Sequence, residues 1–187
     1  MRVIAGKARR MSLITPKGFD VRPTTDRIKE TLFNIIQNEI KDSRFLDLFA
    51  GSGGIGIEAL SRGAGFCAFA DKDKRSIACI RENLEHTRLQ DASCVMNCDY
   101  RQALMRLRKT DPFDIIFLDP PYGKGLEFEA LGLIESERLL ADEGLIIIEA
   151  LIDTDYTASI PKSFRIVREK LYKSNKHVFL RKESANR

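Results

Sequence analysis

The tetrapeptide Asp119-Pro120-Pro121-Tyr122 combines residue types that can act on an amine, and it follows an apolar run at Phe113–Leu118. Proline fixes φ and lacks an N–H donor, so the turn would hold its carbonyl groups rigidly as acceptors. The Asp119 carboxylate and the Pro120 carbonyl would accept both N–H bonds of an exocyclic base amine and direct its lone pair at an electrophilic methyl group. Tyr122 would stack on the target base, which must be unpaired or flipped out. The alternative is a rigid turn without a catalytic role.

A glycine-rich loop at residues 51–56 reads Gly-Ser-Gly-Gly-Ile-Gly, and Asp71 lies 20 residues after Gly51. Glycine permits a tight strand-to-helix turn, and an acidic side chain after the next strand can accept hydrogen bonds from both hydroxyls of a ribose. NAD, FAD and S-adenosylmethionine fit this pattern about equally. A purely structural turn is the alternative.

Asp47 favours one of these three cofactors over the others. It lies inside the apolar strand before the loop, four residues ahead of Gly51. A carboxylate in that position needs a hydrogen-bonding or charged partner. It would repel a pyrophosphate and attract the positively charged amino acid end of S-adenosylmethionine, which is therefore the predicted cofactor. The alternative partner is a nearby backbone N–H group. Asp99, just after the third strand, would accept from the adenine amine or cap the next helix.

Strands and helices alternate from about residue 23 onwards. Thr24, Thr25 and Asp26 are helix-capping residue types, and apolar residues recur from Ile28 to Ile40 at helical spacing, which predicts an amphipathic helix. The strands that follow are apolar throughout, which is typical of a parallel sheet covered by helices on both faces.

In the C-terminal part of the chain, the apolar pattern predicts a helix over residues 126–140 and a fifth strand over residues 145–148. After Pro161, two strand-like runs flank a polar turn at residues 173–176, which predicts an antiparallel hairpin. The predicted fold is therefore α/β and doubly wound. In such folds ligands bind beyond the carboxyl ends of the strands, where the glycine loop and the acidic residues fall.

The composition is that of a globular protein, with 43% hydrophobic and 31% charged residues in a chain of 187, a length that suits one domain. No apolar run approaches the roughly 20 residues of a membrane-spanning helix, and no signal-peptide core is recognisable. The four cysteines form no C-x-x-C pair, and there are two histidines. We therefore expect a cytoplasmic protein with reduced thiols, no metal site and no membrane association.

Positive charge is concentrated at the N-terminus. Residues 1–22 contain six basic side chains and one acidic one, a net charge of +5, whereas the whole chain carries +4. Such an arm is typical of nucleic-acid binding or of a solvated basic tail. The candidate RNA contacts in it are Arg9, Arg10 and Arg22.

The ordered motifs resemble the RsmD family, bacterial methyltransferases specific for a guanine N2 in 16S ribosomal RNA. The match extends over nearly the whole chain. The family commonly has Glu where Asp71 stands, and its basic N-terminal motif has a second glycine where this chain has Ala8-Arg9-Arg10. The residues that carry the resemblance are Arg22-Pro23-Thr24-Thr25-Asp26-Arg27 with Glu30-Thr31-Leu32-Phe33-Asn34, Asp47-Leu48-Phe49-Ala50-Gly51-Ser52-Gly53, Glu58-Ala59-Leu60-Ser61-Arg62-Gly63-Ala64 and Asp119-Pro120-Pro121-Tyr122.

This resemblance implies a class I S-adenosylmethionine-dependent methyltransferase fold, Rossmann-like, with a seven-stranded, mostly parallel sheet and an antiparallel C-terminal hairpin strand. It implies that the substrate is 16S ribosomal RNA in a partly assembled small ribosomal subunit. We expect a monomer and a single methyltransferase domain over residues 1–187, with the basic arm at 1–22 and an additional N-terminal helix at 23–41. The cofactor-binding residues would be Asp47, Phe49, Gly51, Ser52, Gly53, Asp71, Lys72 and Asp99, with Thr24 near the active site.

Three other functions are compatible with parts of the sequence. An adenine-N6 methyltransferase acting on RNA or DNA would use the same Asp-Pro-Pro-Tyr turn, although no large target-recognition insert is visible. An NAD-dependent oxidoreductase would share the glycine loop and leave that turn unexplained. A non-catalytic RNA-binding assembly factor would have no use for a cofactor-lined pocket.

Overall fold

The computed structural model describes residues 1–16, 26–157 and 159–183, so the predicted site residues Arg22 and Thr24 lie outside the described part. Within these ranges no helix is both long and apolar enough to cross a membrane. Two short 3-10 helices follow α1 and α3. The helices are α1 (Asp26–Ile35), α2 (Gly54–Ser61), α3 (Lys74–Thr87), α4 (Tyr100–Leu107) and α5 (Leu126–Ser136), and the strands are β1 (Arg44–Leu48), β2 (Phe66–Asp71), β3 (Ser93–Asn97), β4 (Phe113–Leu118), β5 (Leu140–Leu151), β6 (Phe164–Leu171) and β7 (Asn175–Lys182).

The seven strands form one sheet in the order β3-β2-β1-β4-β5-β7-β6. Strands β1 to β5 pair in parallel, and β7 pairs antiparallel with both β5 and β6. This confirms the predicted fold, including the antiparallel C-terminal hairpin. Because β1 and β4 are neighbours from which the chain winds in opposite directions, the crevice at their carboxyl ends is the expected ligand site.

Helices cover both faces of the sheet, as the uninterrupted apolar strands predict. In β1, Leu46 and Leu48 pack on the face that is covered by α4 and α5. Phe45 packs on the other face, with apolar residues of α1, α2, α3 and the N-terminal segment. Strands β1, β2 and β4 are thereby largely buried, so a ligand would bind at their ends.

Several element boundaries differ from the predicted ones. Helix α1 ends at Ile35 rather than Ile40, and β5 covers Leu140–Leu151 rather than residues 145–148. Two further differences occur at residues with a left-handed φ. Strand β1, whose apolar run continues to Ala50, ends at Leu48 because Phe49 has a left-handed φ of 70°. The helix expected to reach residue 140 ends at Ser136, because Arg138 has a left-handed φ of 55° and β5 already begins at Leu140. Both differences come from non-glycine residues in a conformation that side-chain type does not predict.

Residues 1–16 pack against α2 and α3 rather than forming a free tail. The backbone N–H groups of Ile4 and Ala5 donate to the buried carboxylate of Glu58 in α2, at 2.8 and 3.0 Å. Farther along, the Ile14 N–H donates to the Asn83 side chain of α3 at 2.9 Å. The solvated-tail alternative is therefore wrong for this part of the basic arm.

A buried ion pair joins α1 to this segment. The fully buried Lys29 ammonium lies 3.3 Å from the Glu58 carboxylate and donates to the Arg2 carbonyl. The periodicity of α1 places Ile28 on the buried face, whereas in the structure that residue is only partly buried. A lysine can take the central position because an opposite charge compensates for its loss of solvation.

Candidate active site

The glycine loop joins β1 to α2 at the carboxyl edge of the sheet, directly above Asp47. The buried Asp47 carboxylate accepts a hydrogen bond from the Gly56 N–H at 2.9 Å. Burial raises the pKa of Asp47 to about 7; the Gly56 N–H opposes this rise, and the nearby charge of Asp71 adds to it. The backbone partner considered for Asp47 is thus present, and a cationic group beside this carboxyl would favour its ionised form.

Asp71, the last residue of β2, ties the loop to the neighbouring strand. Its carboxylate accepts hydrogen bonds from the N–H groups of Gly51 at 2.9 Å and Asp73 at 2.8 Å. Burial raises the pKa of Asp71, although these two donors oppose the rise. Gly51 has a left-handed φ of 55°, and no atom lies within 4 Å of the position that a Cβ would occupy there. Open space therefore adjoins a carboxylate, which fits a ligand that donates hydroxyl groups.

The predicted adenine side lies where β1 and β3 end. The ring of Phe49, whose φ is left-handed, packs on Tyr100 with ring centroids 5.3 Å apart. Strained backbone of this kind in a bulky residue persists where surrounding structure enforces it, and it is frequent at binding sites. Asp99 caps α4 by accepting from the Gln102 N–H at 2.9 Å. The capping alternative for Asp99 is therefore confirmed, and an adenine contact would be additional.

The other predicted cofactor residues differ in accessibility. Ser52 and Gly53 are buried inside the loop, where Gly53 has a φ of 78° immediately before α2. Lys72 is exposed on the turn after β2. Of these three residues, Ser52 and Gly53 are therefore fixed within the loop at the crevice.

Asp119 begins the turn at the end of β4. Its N–H donates to the carbonyl of Leu48 at 3.5 Å, so the turn lies beside the end of β1. Burial raises the pKa of Asp119 well above its usual range, and the charges of Glu149 and Asp47 raise it further. A carboxyl in this state is responsive to hydrogen-bond donors and cations that enter the crevice.

The last two residues of the turn are exposed. Pro120 is buried, whereas Pro121 and Tyr122 are exposed, Tyr122 by 45%. An exposed aromatic ring beside a carboxyl at the edge of the crevice is available for stacking on a planar ligand. The four residues that the sequence singled out therefore stand together at the expected place.

The hydrogen-bond partner of Tyr122, Glu149, was not among the predicted site residues. Glu149 of β5 is buried, and its Oε1 accepts from the Tyr122 hydroxyl at 3.2 Å and from Asn175 Nδ2 at 2.7 Å. Its Oε2 lies 3.4 Å from Nε2 of His177. A carboxylate inside an apolar strand is the same signal that singled out Asp47, and it would have found Glu149.

Arg9 and Arg10 are exposed, as RNA contacts should be. The N–H of the adjoining Lys7 donates at 2.8 Å to the carbonyl of Ser61, the last residue of α2. The glycine loop joins the opposite end of this eight-residue helix, about 10 Å away along its axis. Lys7, two residues before Arg9, therefore lies at the end of α2 that is away from the glycine loop.

The crevice is acidic at the adjacent ends of β1, β2 and β4, where Asp47, Asp71 and Asp119 lie. Such a site attracts a cationic ligand and disfavours a pyrophosphate. Within the described ranges, no group of His, Cys, Asp and Glu side chains is arranged to hold a metal ion. The chemistry that these residues can perform is binding a cation and accepting N–H bonds.

Together, the strand order, the glycine loop after β1, the acidic strand ends and the Asp-Pro-Pro-Tyr turn after β4 define a class I methyltransferase. A family model described as "Conserved hypothetical protein 95" matches residues 1–181. The chain belongs to this family.

Known proteins of the same kind confirm the resemblance found in the sequence. The chain is 37% identical over 171 residues to "Ribosomal RNA small subunit methyltransferase D" of Escherichia coli, covering 91% of this chain and 84% of that protein. It is 43% identical over 150 residues to the "Putative rRNA methyltransferase YlbH" of Bacillus subtilis, covering 80% and 82%. The solved structure of the putative methyltransferase yhhF from Escherichia coli superposes with a TM-score of 0.85 at 35% identity, covering 99% of both chains.

Proposed function

We propose that this methyltransferase transfers a methyl group from S-adenosylmethionine to the N2 amine of a guanine in 16S ribosomal RNA. The observation that carries the proposal is the position of Asp119-Pro120-Pro121-Tyr122 beside the end of β1, next to the glycine loop. Acceptors for an amine and a pocket for the methyl donor thus share one edge of the sheet. The names of the curated relatives support ribosomal RNA as the substrate, and the resemblance to the RsmD family supports the guanine N2.

S-adenosylmethionine would supply an electrophilic methyl group on a positively charged sulfur. The Asp47 carboxylate suits its ammonium group, and the Asp71 carboxylate suits its ribose hydroxyls, beside the open space at Gly51. Phe49 and Asp99 border the place left for adenine. Further contacts would come from Ser52, Gly53, Lys72 and Thr24.

The amine would be held by two acceptors, the Asp119 carboxylate and the Pro120 carbonyl, one for each N–H bond. With the cofactor bound, the nitrogen lone pair would bond to the methyl carbon as the carbon–sulfur electron pair leaves with sulfur, and the nitrogen would then release one proton. Because its pKa is raised, the Asp119 carboxylate is a suitable acceptor for that proton. Tyr122 would stack on the flipped-out base and fix the direction of attack.

The RNA would also contact the basic arm through Arg9, Arg10 and Arg22. Arg9 and Arg10 would bind phosphates that flank the target rather than the target nucleotide. We further propose that residues 1–187 act as one cytoplasmic, monomeric domain, with the arm at 1–22 and the added helix at 23–41. The substrate would be a partly assembled small ribosomal subunit.

The direct test uses small-subunit particles from cells that lack this gene. Purified protein and S-adenosylmethionine labelled in the methyl group are incubated with these particles or with naked 16S ribosomal RNA, and the RNA is digested to nucleosides. We expect the label in N2-methylguanosine. Label in N6-methyladenosine would establish the adenine alternative, and unlabelled RNA in both samples would contradict the proposal.

A further inference from the structure

The hydroxyl of Tyr122 points at a buried polar cluster formed by Glu149, Asn175, His177 and Tyr172. One carboxylate oxygen of Glu149 accepts hydrogen bonds from the Tyr122 hydroxyl at 3.2 Å and from the Asn175 amide at 2.7 Å. The other oxygen lies 3.4 Å from Nε2 of His177. The Tyr172 hydroxyl in turn lies 3.0 Å from Nδ1 of His177. A chain of hydrogen bonds therefore leads from the catalytic turn into the interior of the sheet.

The cluster owes its position to the antiparallel pairing of β5 with β7. His177 is directly opposite Glu149, and Asn175 is opposite Leu151, so these side chains lie on one face of the sheet. His177 is fully buried, and it packs edge-on against the rings of Phe117 and Phe179. Glu149 is thereby held on its inner side by two buried side chains, His177 and Asn175.

Glu149 is an unusually strong acceptor for an exposed tyrosine. Burial favours its neutral form, but hydrogen bonds from His177, Asn175 and Tyr122 hold the pKa of this carboxyl below its ordinary value. A hydrogen bond to an ionised carboxylate is roughly twice as strong as one between neutral groups. Tyr122 is 45% exposed, so this bond restrains a ring that stands partly in solvent.

We propose that Glu149 is a positioning residue, which acts through the hydroxyl of Tyr122 to hold the ring where the target base stacks. This inference rests on the proposed function, since it concerns how the base is held in that reaction. Side chains that contact a substrate need neighbouring groups that fix their rotamers. Asn175 and His177 provide that support for Glu149, and Glu149 provides it for Tyr122.

The test is a double-mutant cycle with Tyr122→Phe and Glu149→Ala, measured as the rate of a single turnover at saturating cofactor. Each single substitution should lower the rate about 10-fold, the effect of one hydrogen bond of this kind. The double substitution should lower it no more than either single one, because both remove the same link. Additive losses, or a wild-type rate for Tyr122→Phe, would overturn the proposal.

Two further variants separate positioning from stability. Glu149→Gln keeps an acceptor for the hydroxyl and should restore most of the rate, whereas Glu143→Gln, exposed near the other end of β5, should change nothing. Affinity for S-adenosylhomocysteine should be the same in all variants. If Glu149→Ala does not fold, Tyr122→Phe still decides, because it removes the same bond from an exposed position. A wild-type protein that methylates no RNA would refute the proposed function instead, since no variant could then be compared with it.

Discussion

The Gly51 N–H donates to the Asp71 carboxylate at 2.9 Å, so the last residue of β2 holds the first residue of the loop that follows β1. The same carboxylate accepts from the Asp73 N–H, which fixes its orientation. Asp71 therefore has two roles: it shapes the loop, and it offers its remaining lone pairs to the ribose of the proposed cofactor.

Replacing Asp71 with alanine should weaken cofactor binding by about 1.5–3 kcal/mol, the range for a lost charged hydrogen-bond partner. Calorimetric titration with S-adenosylhomocysteine measures this directly, and NAD should show no binding to either protein. The matched control is Asp73→Ala, which removes a neighbouring carboxylate that caps α3. Equal affinities for wild type and Asp71→Ala would remove Asp71 from the cofactor site.

Lys29→Met should destabilise the fold by about 1.5–3 kcal/mol, because the buried Glu58 carboxylate would lose one charged partner and keep Arg62. Urea denaturation gives the free energy of unfolding. Lys182→Met is the control, because its ion pair with Asp142 involves a 99% exposed carboxylate and should contribute less than about 1 kcal/mol. Similar losses in the two variants would contradict the structural importance assigned to the Lys29–Glu58 pair.

The rate of methyl transfer should rise with pH through a pKa higher than that of an ordinary aspartate. Accepting N–H bonds and a proton requires ionised Asp119, and burial together with Glu149 and Asp47 raises its pKa. Protonation of Asp47, whose pKa is raised by burial to about 7, should weaken cofactor binding as pH falls. Single-turnover rates at saturating cofactor isolate the first effect. A rate that is constant from acidic to neutral pH would contradict the role of Asp119.

Replacing both Arg9 and Arg10 with alanine should weaken RNA binding and flatten its dependence on the logarithm of salt concentration by about 1–2 units. Affinity for the cofactor should not change, because the proposed cofactor residues lie at the carboxyl ends of the strands and not in the basic arm. Arg108→Ala with Lys109→Ala, an exposed basic pair after α4, serves as the control. If the two double variants give the same salt dependence as wild type, the arm does not contact RNA.

The amino-acid sequence is sufficient to predict the features that follow from burial and spacing. Apolar strands without alternation predict the parallel sheet, and the apolar run at Phe113–Leu118 has the same bounds as β4. Since ligands bind at the carboxyl ends of such strands, the positions of Asp47 within one apolar strand and of Asp71 and Asp119 at the ends of two others are enough to assign them to one crevice.

Contacts between side chains that are distant in the sequence could not be predicted from it. The partner of Tyr122 is Glu149, 27 residues away, and its own partners come from β7, so only the register of three strands brings them together. Lys29 breaks the helical pattern of α1 for a similar reason, because its compensating charge lies on another helix.

The central claim is that Asp119 accepts the amine in the reaction, and the single-turnover rate of methyl transfer to the RNA by Asp119→Ala tests it most directly. The rate should fall by about 10²–10³, equivalent to roughly 2.7–4 kcal/mol, as for other preorganised contacts to a reacting group. Affinity for S-adenosylhomocysteine should change much less, since the glycine loop is untouched. A variant that methylates guanine at nearly the wild-type rate would contradict this role and reduce Asp119 to a residue of the turn.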